Sequence, residues 1–280
     1  MINIDSVIKN LSLQEKLLKQ DCRIRYRSNI IILHDVLQYV ILLTRGWNWF
    51  ENMEYFILFT LIVSTKAQYY TFLSSIGVRF TVFNYFLKKT AQSPLTKNRQ
   101  KLCETVILVI DQHRRLVNLA RTINKIYSFM LLVYISFDVG VLITHSYLLV
   151  YVILKGSSLE ELTHITYITI PDLFSSAFEL YVIASCSAFV CLEANVTKAI
   201  LHELTVNSKK VISANRIKLI SYQLMNDKLN IMAMKLFNVD FGMIYSILAT
   251  TTNYLLIMLQ FDLDSMKRIG GKTENVTKTL

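Results

Sequence analysis

Residues 239–261 read VDFGMIYSILATTTNYLLIMLQF. A helix crosses a bilayer with about 20 mostly apolar residues at about 1.5 Å each, and this run is long enough, with its single charge, Asp240, near one end. Residues 55–87, 126–154 and 171–195 have the same character. A fifth stretch, 29–46 (NIIILHDVLQYVILLTRG), is shorter, carries His34 and Asp35, and leads into Trp47 and Trp49, a residue type that favours the membrane interface. The predicted fold is therefore all-α, a polytopic membrane helical bundle with five transmembrane helices.

Composition agrees. Of 280 residues, 53% are apolar and 18% charged, where a soluble chain carries about a quarter charged. The mean hydropathy of +0.39 leaves too much apolar surface for one water-facing globule. Disorder is excluded as well, because 15 Phe and 15 Tyr beside abundant Leu and Ile supply enough burial to offset chain entropy. The four cysteines, Cys22, Cys103, Cys186 and Cys191, lack the spacing of a disulfide framework or a paired metal site and are expected to be reduced.

Thirty basic against 20 acidic residues give a net charge of +10. Twenty-two of the Lys and Arg fall in 1–29, 88–125 and 196–235, and six on the opposite side of the predicted spans. Short basic loops stay cytoplasmic, which predicts the N-terminus inside and the C-terminus outside. The basic excess then needs no nucleic acid as partner, only the lipid bilayer. The first 28 residues mix acidic and basic side chains without an apolar core, so no secretory signal is read there.

The expected order is a cytoplasmic segment 1–28, a transmembrane helix 29–46, an outer loop 47–54 and a long helix 55–87. At about 1.5 Å per residue that helix reaches about 50 Å and protrudes into the cytoplasm. A cytoplasmic basic connector 88–125, a span 126–154 and an outer loop 155–170 follow. The remainder is a span 171–195 with Pro171 in its first turn, a cytoplasmic connector 196–238, the span 239–261 and an outer tail 262–280. Asn275-Val276-Thr277 places a glycosylation acceptor, Asn275, in that tail.

Signatures of catalysis are missing: no Gly-x-Ser-x-Gly elbow, no phosphate loop and no Cys-x-x-Cys, and His202-Glu203 lacks the second His of a zinc helix. The reading is of a non-enzyme with no catalytic residues, no cofactor and no metal. His113, beside Arg114 and Arg115, reads as a solvated loop residue. Asp138, His145 and Glu179 are different, because an ionisable group in a membrane helix faces a cavity or a partner. Asp138 and His145 lie seven apart on one helical face; Tyr147 and Tyr151 lie toward the outer end of the same span, and Phe178 and Glu179 about two turns into the next. These six residues either line a small-molecule cavity or hold the bundle together by interhelical hydrogen bonds.

The last span carries the sharpest pattern. Thr250, Asn253, Ile257, Gln260 and Asp264 recur at offsets of three and four, a single stripe of a helix, and four of the five are polar. Such a stripe faces water in a pore or packs on a like helix.

Here the chain resembles the insect gustatory receptors, the seven-helix chemoreceptors related to the insect odorant receptors. Their closing stretch is Thr-Tyr, five apolar residues, then Gln-Phe. This chain has Asn253-Tyr254-Leu255-Leu256-Ile257-Met258-Leu259-Gln260-Phe261, with Asn in place of Thr. The longer run LFNVDFGMIYSILATTTNYLLIMLQF (236–261) resembles the whole last helix and its approach. SCSAFVCLEANVTKAILHEL (185–204) resembles the preceding helix and its exit, LCETVILVIDQHRRLVNLARTINKIYSF (102–129) the cytoplasmic entry to the third span, and RFTVFNYFL (79–87) the end of the protruding helix. The family has seven spans and this chain supplies a likeness of the last five, so the resemblance implies that the first two helices are absent from this sequence.

The resemblance also implies a plasma-membrane, multi-pass subunit of a ligand-gated, non-selective cation channel in the dendrite of a chemosensory neuron. Its partners are a small-molecule tastant, permeant cations and related subunits in a homo- or hetero-tetramer. Gln260 and Phe261 match the positions that narrow the pore, and Ile257 supplies an apolar ring one turn inward, able to stop ions by dewetting. Asp262 and Asp264 follow the constriction, and four copies of each would concentrate cations at the mouth. Alternatives are an odorant-receptor-like or non-conducting partner subunit, a G-protein-coupled receptor and a small-solute transporter. The inside N-terminus and the lack of Asp-Arg-Tyr and Asn-Pro-x-x-Tyr weigh against the receptor, and the scarcity of Gly and Pro within the spans against the transporter.

Overall fold

A computed structural model describes residues 30, 32–34, 36, 37, 40, 49–92, 99–207 and 228–277; side chains are described at those first seven positions and at 57, 60–88, 107–200 and 228–262. Four long helices carry most of the described chain: α1 (Trp49–Gln92), α2 (Arg99–Lys155), α3 (Leu159–Asn207) and α4 (Phe241–Thr277). Two short antiparallel strands, β1 (Met232–Ala233) and β2 (Phe237–Asn238), precede α4. Among the described residues three stretches are long and apolar enough to cross a membrane: Ile107–Lys155, Leu159–Ile200 and Phe241–Asp262. The predicted span 29–46 lies mostly outside the described residues; those of its positions that are described are helical.

Two compact units form, one from residues 1–129 and 185–240, the other from 130–184 and 241–280. In the first, α1 buries Leu73, Phe80 and Leu87, spaced by seven and so on one stripe. A Cβ added to Gly77 would meet the Phe189 ring at 2.5 Å and Val190 at 3.1 Å, so α1 and α3 approach closely there and any larger residue requires the Phe189 ring to move. Two polar links between α1 and α3 lie in this packing. Tyr69 pairs with Ser187 at 3.2 Å, and Asn84 Nδ2 donates to both the main-chain oxygen and Oε2 of Glu193, at 2.9 and 2.8 Å.

His113 corrects the reading from its basic neighbours. It is fully buried on α2, its Nε2 lies 3.1 Å from the Ala194 carbonyl oxygen, and its ring centroid lies 5.1 Å from that of Phe80. The helix explains the difference: Asp111, Arg114 and Arg115 are exposed, with Arg115 paired to Asp111 at 3.0 Å, while Gln112 and His113 fall on the inward face.

The hairpin packs through Leu229, Ile231, Ala233 and Val239, all buried. Its turn is closed by Leu236 N donating to the Ala233 carbonyl at 2.9 Å, with Met234 and Lys235 both at positive φ (48° and 60°). Asn-Gly meets this backbone with little strain, and Met and Lys meet it at a cost of about 1–2 kcal/mol each. Met234 N also donates to Ser128 Oγ at 2.6 Å, which ties the turn to α2.

In the second unit the connector between α2 and α3 is three residues long. Gly156, at φ +67°, donates to the Ile153 carbonyl and ends α2 in the left-handed conformation that glycine adopts freely. Ser158 caps α3, its Oγ accepting from Glu161 N at 3.3 Å, with Glu160 and Glu161 in the first turn. The stretch 159–170, expected as loop, is therefore helix, and Pro171, expected in a first turn, lies within α3. There it removes one main-chain donor from the ladder. Glu179 accordingly lies about 30 Å along α3, not two turns from its start.

Candidate functional site

The site is built on α4, and α4 splits its circumference. Met243, Ile247 and Thr251 are buried, with Leu255 and Leu259 half-buried: an i, i+4 series that forms the covered stripe of the helix. Thr250, Asn253, Ile257 and Gln260 are exposed on a different face. Phe261, also exposed, keeps 72% of its surface accessible. These stripe residues are thus part of a wide surface of α4 that the chain leaves uncovered, together with the apolar Leu248, Tyr254, Leu256 and Met258.

The hydroxyls of that face satisfy themselves. Thr250 Oγ1 donates to the Ser246 carbonyl at 2.8 Å and Ser246 Oγ to the Gly242 carbonyl at 3.1 Å, which makes both tolerable in a low-dielectric setting. The amides of Asn253 and Gln260 have no hydrogen-bond partner among the described residues. An amide placed in hydrocarbon without a partner costs several kcal/mol, so these two groups, seven residues apart on one stripe, require water or a second polar surface.

At the far end of the span, Tyr147 of α2 donates its hydroxyl proton to Asp262 Oδ2. The Tyr147 ring lies 5.9 Å from Tyr151, over which Lys155 Nζ sits at 6.0 Å from the centroid. The structure thus turns Asp262 toward α2, while the side chain of Asp264 and that of Asn275 lie outside the described residues. Opening this contact is a direct test of the arrangement. A double-mutant cycle of Tyr147→Phe and Asp262→Ala, read by thermal unfolding in detergent, is expected to return a coupling of about 1 kcal/mol; strictly additive losses would show that the two side chains do not interact.

The six residues predicted around a ligand cavity divide among different partners. Tyr147 and Tyr151 come together as above. His145 Nε2 faces Asp172 Oδ2 at 3.7 Å, an acidic partner on α3 that the sequence reading passed over. Phe178 stacks on Phe174, one turn away, at 6.4 Å. Asp138 is buried, and Glu179 is half-buried. Asp172 was findable, since it stands beside Pro171 within an apolar stretch of α3, and an ionisable residue there invites a charged or polar partner on a neighbouring helix.

Comparison with known proteins agrees with this architecture. A family model described as 7tm Chemosensory receptor matches residues 17–265. A Drosophila melanogaster protein named "Putative gustatory receptor 28b" is 29% identical over 176 residues, which make up 61% of this chain and 37% of that protein. The chain thus spans well under half the length of that curated relative. The solved insect olfactory receptor OR5 from Machilis hrabei superposes with a TM-score of 0.61 at 11% identity, covering 88% of this chain and 68% of that one. Its complex with eugenol gives 0.62 at 10% identity, covering 88% and 69%. At such identities the likeness is one of fold.

Proposed function

The chain belongs to the 7tm chemosensory receptor family, and from that premise we propose that it is a subunit of a ligand-gated, non-selective cation channel that detects small-molecule tastants at the plasma membrane of a chemosensory cell. It is a multi-pass membrane protein of the insect gustatory and odorant receptor type.

The observation that carries the proposal is the face of α4. Asn253 and Gln260 present amides with no partner among the described residues on a helix apolar enough to cross a membrane. Copies of α4 placed around a shared axis, four in a tetramer of this chain or of this chain with related subunits, give these amides water. Thr250 then joins the wall, and Ile257, Gln260 and Phe261 form the narrow part, where an apolar ring blocks ions by dewetting when closed. Asp262 and Asp264 stand at the mouth. The N-terminus is inside and the C-terminus, with Asn275, outside. Asp138, His145, Tyr147, Tyr151, Phe178 and Glu179 supply the polar and aromatic groups for ligand, whose energy drives opening through its preference for the open arrangement. The binding of eugenol by the olfactory receptor of the same fold supports a small organic molecule as the ligand class.

The test is electrical. The chain is expressed alone and with related subunits, challenged with tastant panels, and current is recorded with and without a G-protein inhibitor. Fast current that survives the inhibitor is the expected result; a response lost with the inhibitor overturns the channel and leaves a metabotropic receptor.

A further inference from the structure

The hairpin before α4 ends in Met234-Lys235-Leu236, and all three side chains are exposed, Met234 by 48% and Leu236 by 69%. An apolar, basic, apolar tip is an unusual thing to hold in water. It is also held firmly: the bond from Met234 N to Ser128 Oγ fixes the turn against α2, at the level of the helix that carries Ile126, which is 67% exposed, and the exposed Phe129. Exposed Lys125 directly precedes this pair.

Two parts of the sequence change character at this level. On α2 the charges Arg114, Arg115, Arg121 and Lys125 give way after Lys125 to twelve residues, 126–137, without a charge. Along the chain from the hairpin, Asp240 is the last charge before the apolar run that begins at Phe241. The tip therefore stands where water-facing sequence becomes hydrocarbon-facing sequence, on the side where most of the Lys and Arg lie.

We propose that Met234 and Leu236, with Ile126 and Phe129, dip into the headgroup and acyl boundary of the bilayer leaflet on the basic side, with Lys235 and Lys125 on the phosphates of anionic lipids. Amphipathic side chains suit this boundary, with methylene stems in the apolar layer and ammonium groups at the headgroups. The charge complementarity decides the occupant: Lys235 stands between the two apolar residues of the tip, exposed Lys125 lies three residues before the Ser128 that holds the turn, exposed Lys228 opens the segment leading into the hairpin, and Asp240 is the acidic residue of 228–240. A protein partner would have to match two lysines flanked by isolated apolar side chains, whereas an anionic leaflet offers that pairing over its whole area. The turn bears its backbone strain with Met and Lys at the tip, which fits a role for those side chains outside the fold itself.

The test uses Leu236→Cys labelled with bimane in the full chain, reconstituted in lipid nanodiscs so that both faces are open to solutes, with the labelled unsubstituted chain supplying the background of the native cysteines. In discs containing phosphatidylglycerol, lipids brominated near the headgroup are expected to quench the label and iodide is not. Each lysine near an anionic surface shifts partition about fivefold, so Lys235→Glu, which replaces an attracted charge by a repelled one, and the removal of phosphatidylglycerol, which withdraws the attraction of both lysines, should each lower the immersed population by more than that factor. Quenching by iodide would overturn the proposal by placing the tip in water. A label that neither quencher reaches would overturn it by placing the tip against protein, and lipid quenching indifferent to both headgroup charge and Lys235→Glu would overturn it by removing the phosphates. None of these readings depends on ion conduction.

Discussion

Replacing Asn253 and Gln260 together by Leu is expected to abolish ligand-evoked current while leaving the protein at the cell surface. Both side chains lie on the uncovered face of α4, away from the buried Met243, Ile247 and Thr251, so the change removes no packing within the unit. Each lost amide withdraws a hydrogen bond worth about 1 kcal/mol from pore water. An ion in the proposed pore meets the two rings of amides one after the other, and losing two or three of the four bonds at one ring raises its barrier by a few kcal/mol, so conduction falls on the order of a hundredfold. Asn253→Gln and Gln260→Asn keep an amide at each position and are expected to keep most of the current. Whole-cell recording beside surface biotinylation separates conduction from trafficking; full current through the double Leu variant would remove α4 from the ion path.

The second large effect is structural. Gly77→Leu is expected to prevent α1 from seating on α3, and the comparison with Gly77→Ala shows why. A Cβ at 2.5 Å from the Phe189 ring overlaps it by about an ångström. Alanine also gains about 1 kcal/mol of helix propensity over glycine, and Phe189 is only half-buried, so its ring can swing. These terms nearly offset, and Ala should be close to neutral. Leucine adds three more carbons in the space between that ring and the fully buried Val190, more than a swing of the ring can clear; overpacking of about 3 kcal/mol or more then wins. Monodispersity after detergent extraction is the measurement. Phe189→Ala introduced with Gly77→Leu should restore the folded peak, and failure to do so would place the clash elsewhere.

The membrane-crossing character of the chain, the last helix and its polar stripe were legible because they depend on local quantities: apolar length and a period of three to four. Family membership was legible for the same reason, since the motif around Gln260-Phe261 is contiguous. The helix start at Leu159 was also written in the sequence, as Ser158-Leu159-Glu160-Glu161, a capping box, but hydropathy pointed to the later Pro171 as the boundary. Other features were not local. His113 is buried by its angle on α2, which its neighbours Arg114 and Arg115 obscure. The link from Tyr147 to Asp262 joins residues 115 apart, and the pairing of His145 with Asp172 requires the two helices to be placed first. The hairpin at 232–238 gave no turn signal, because Met-Lys occupies the place that Asn-Gly usually marks.

The three residues from Gly156 to Ser158 have a consequence for how the chain reaches its membrane. They hold the end of one 57-residue helix within about 15 Å of the start of a 49-residue helix. So short and uncharged a link leaves no polar loop to be carried across the bilayer between the two helices. It also gives a protease no strand to grip in the finished receptor.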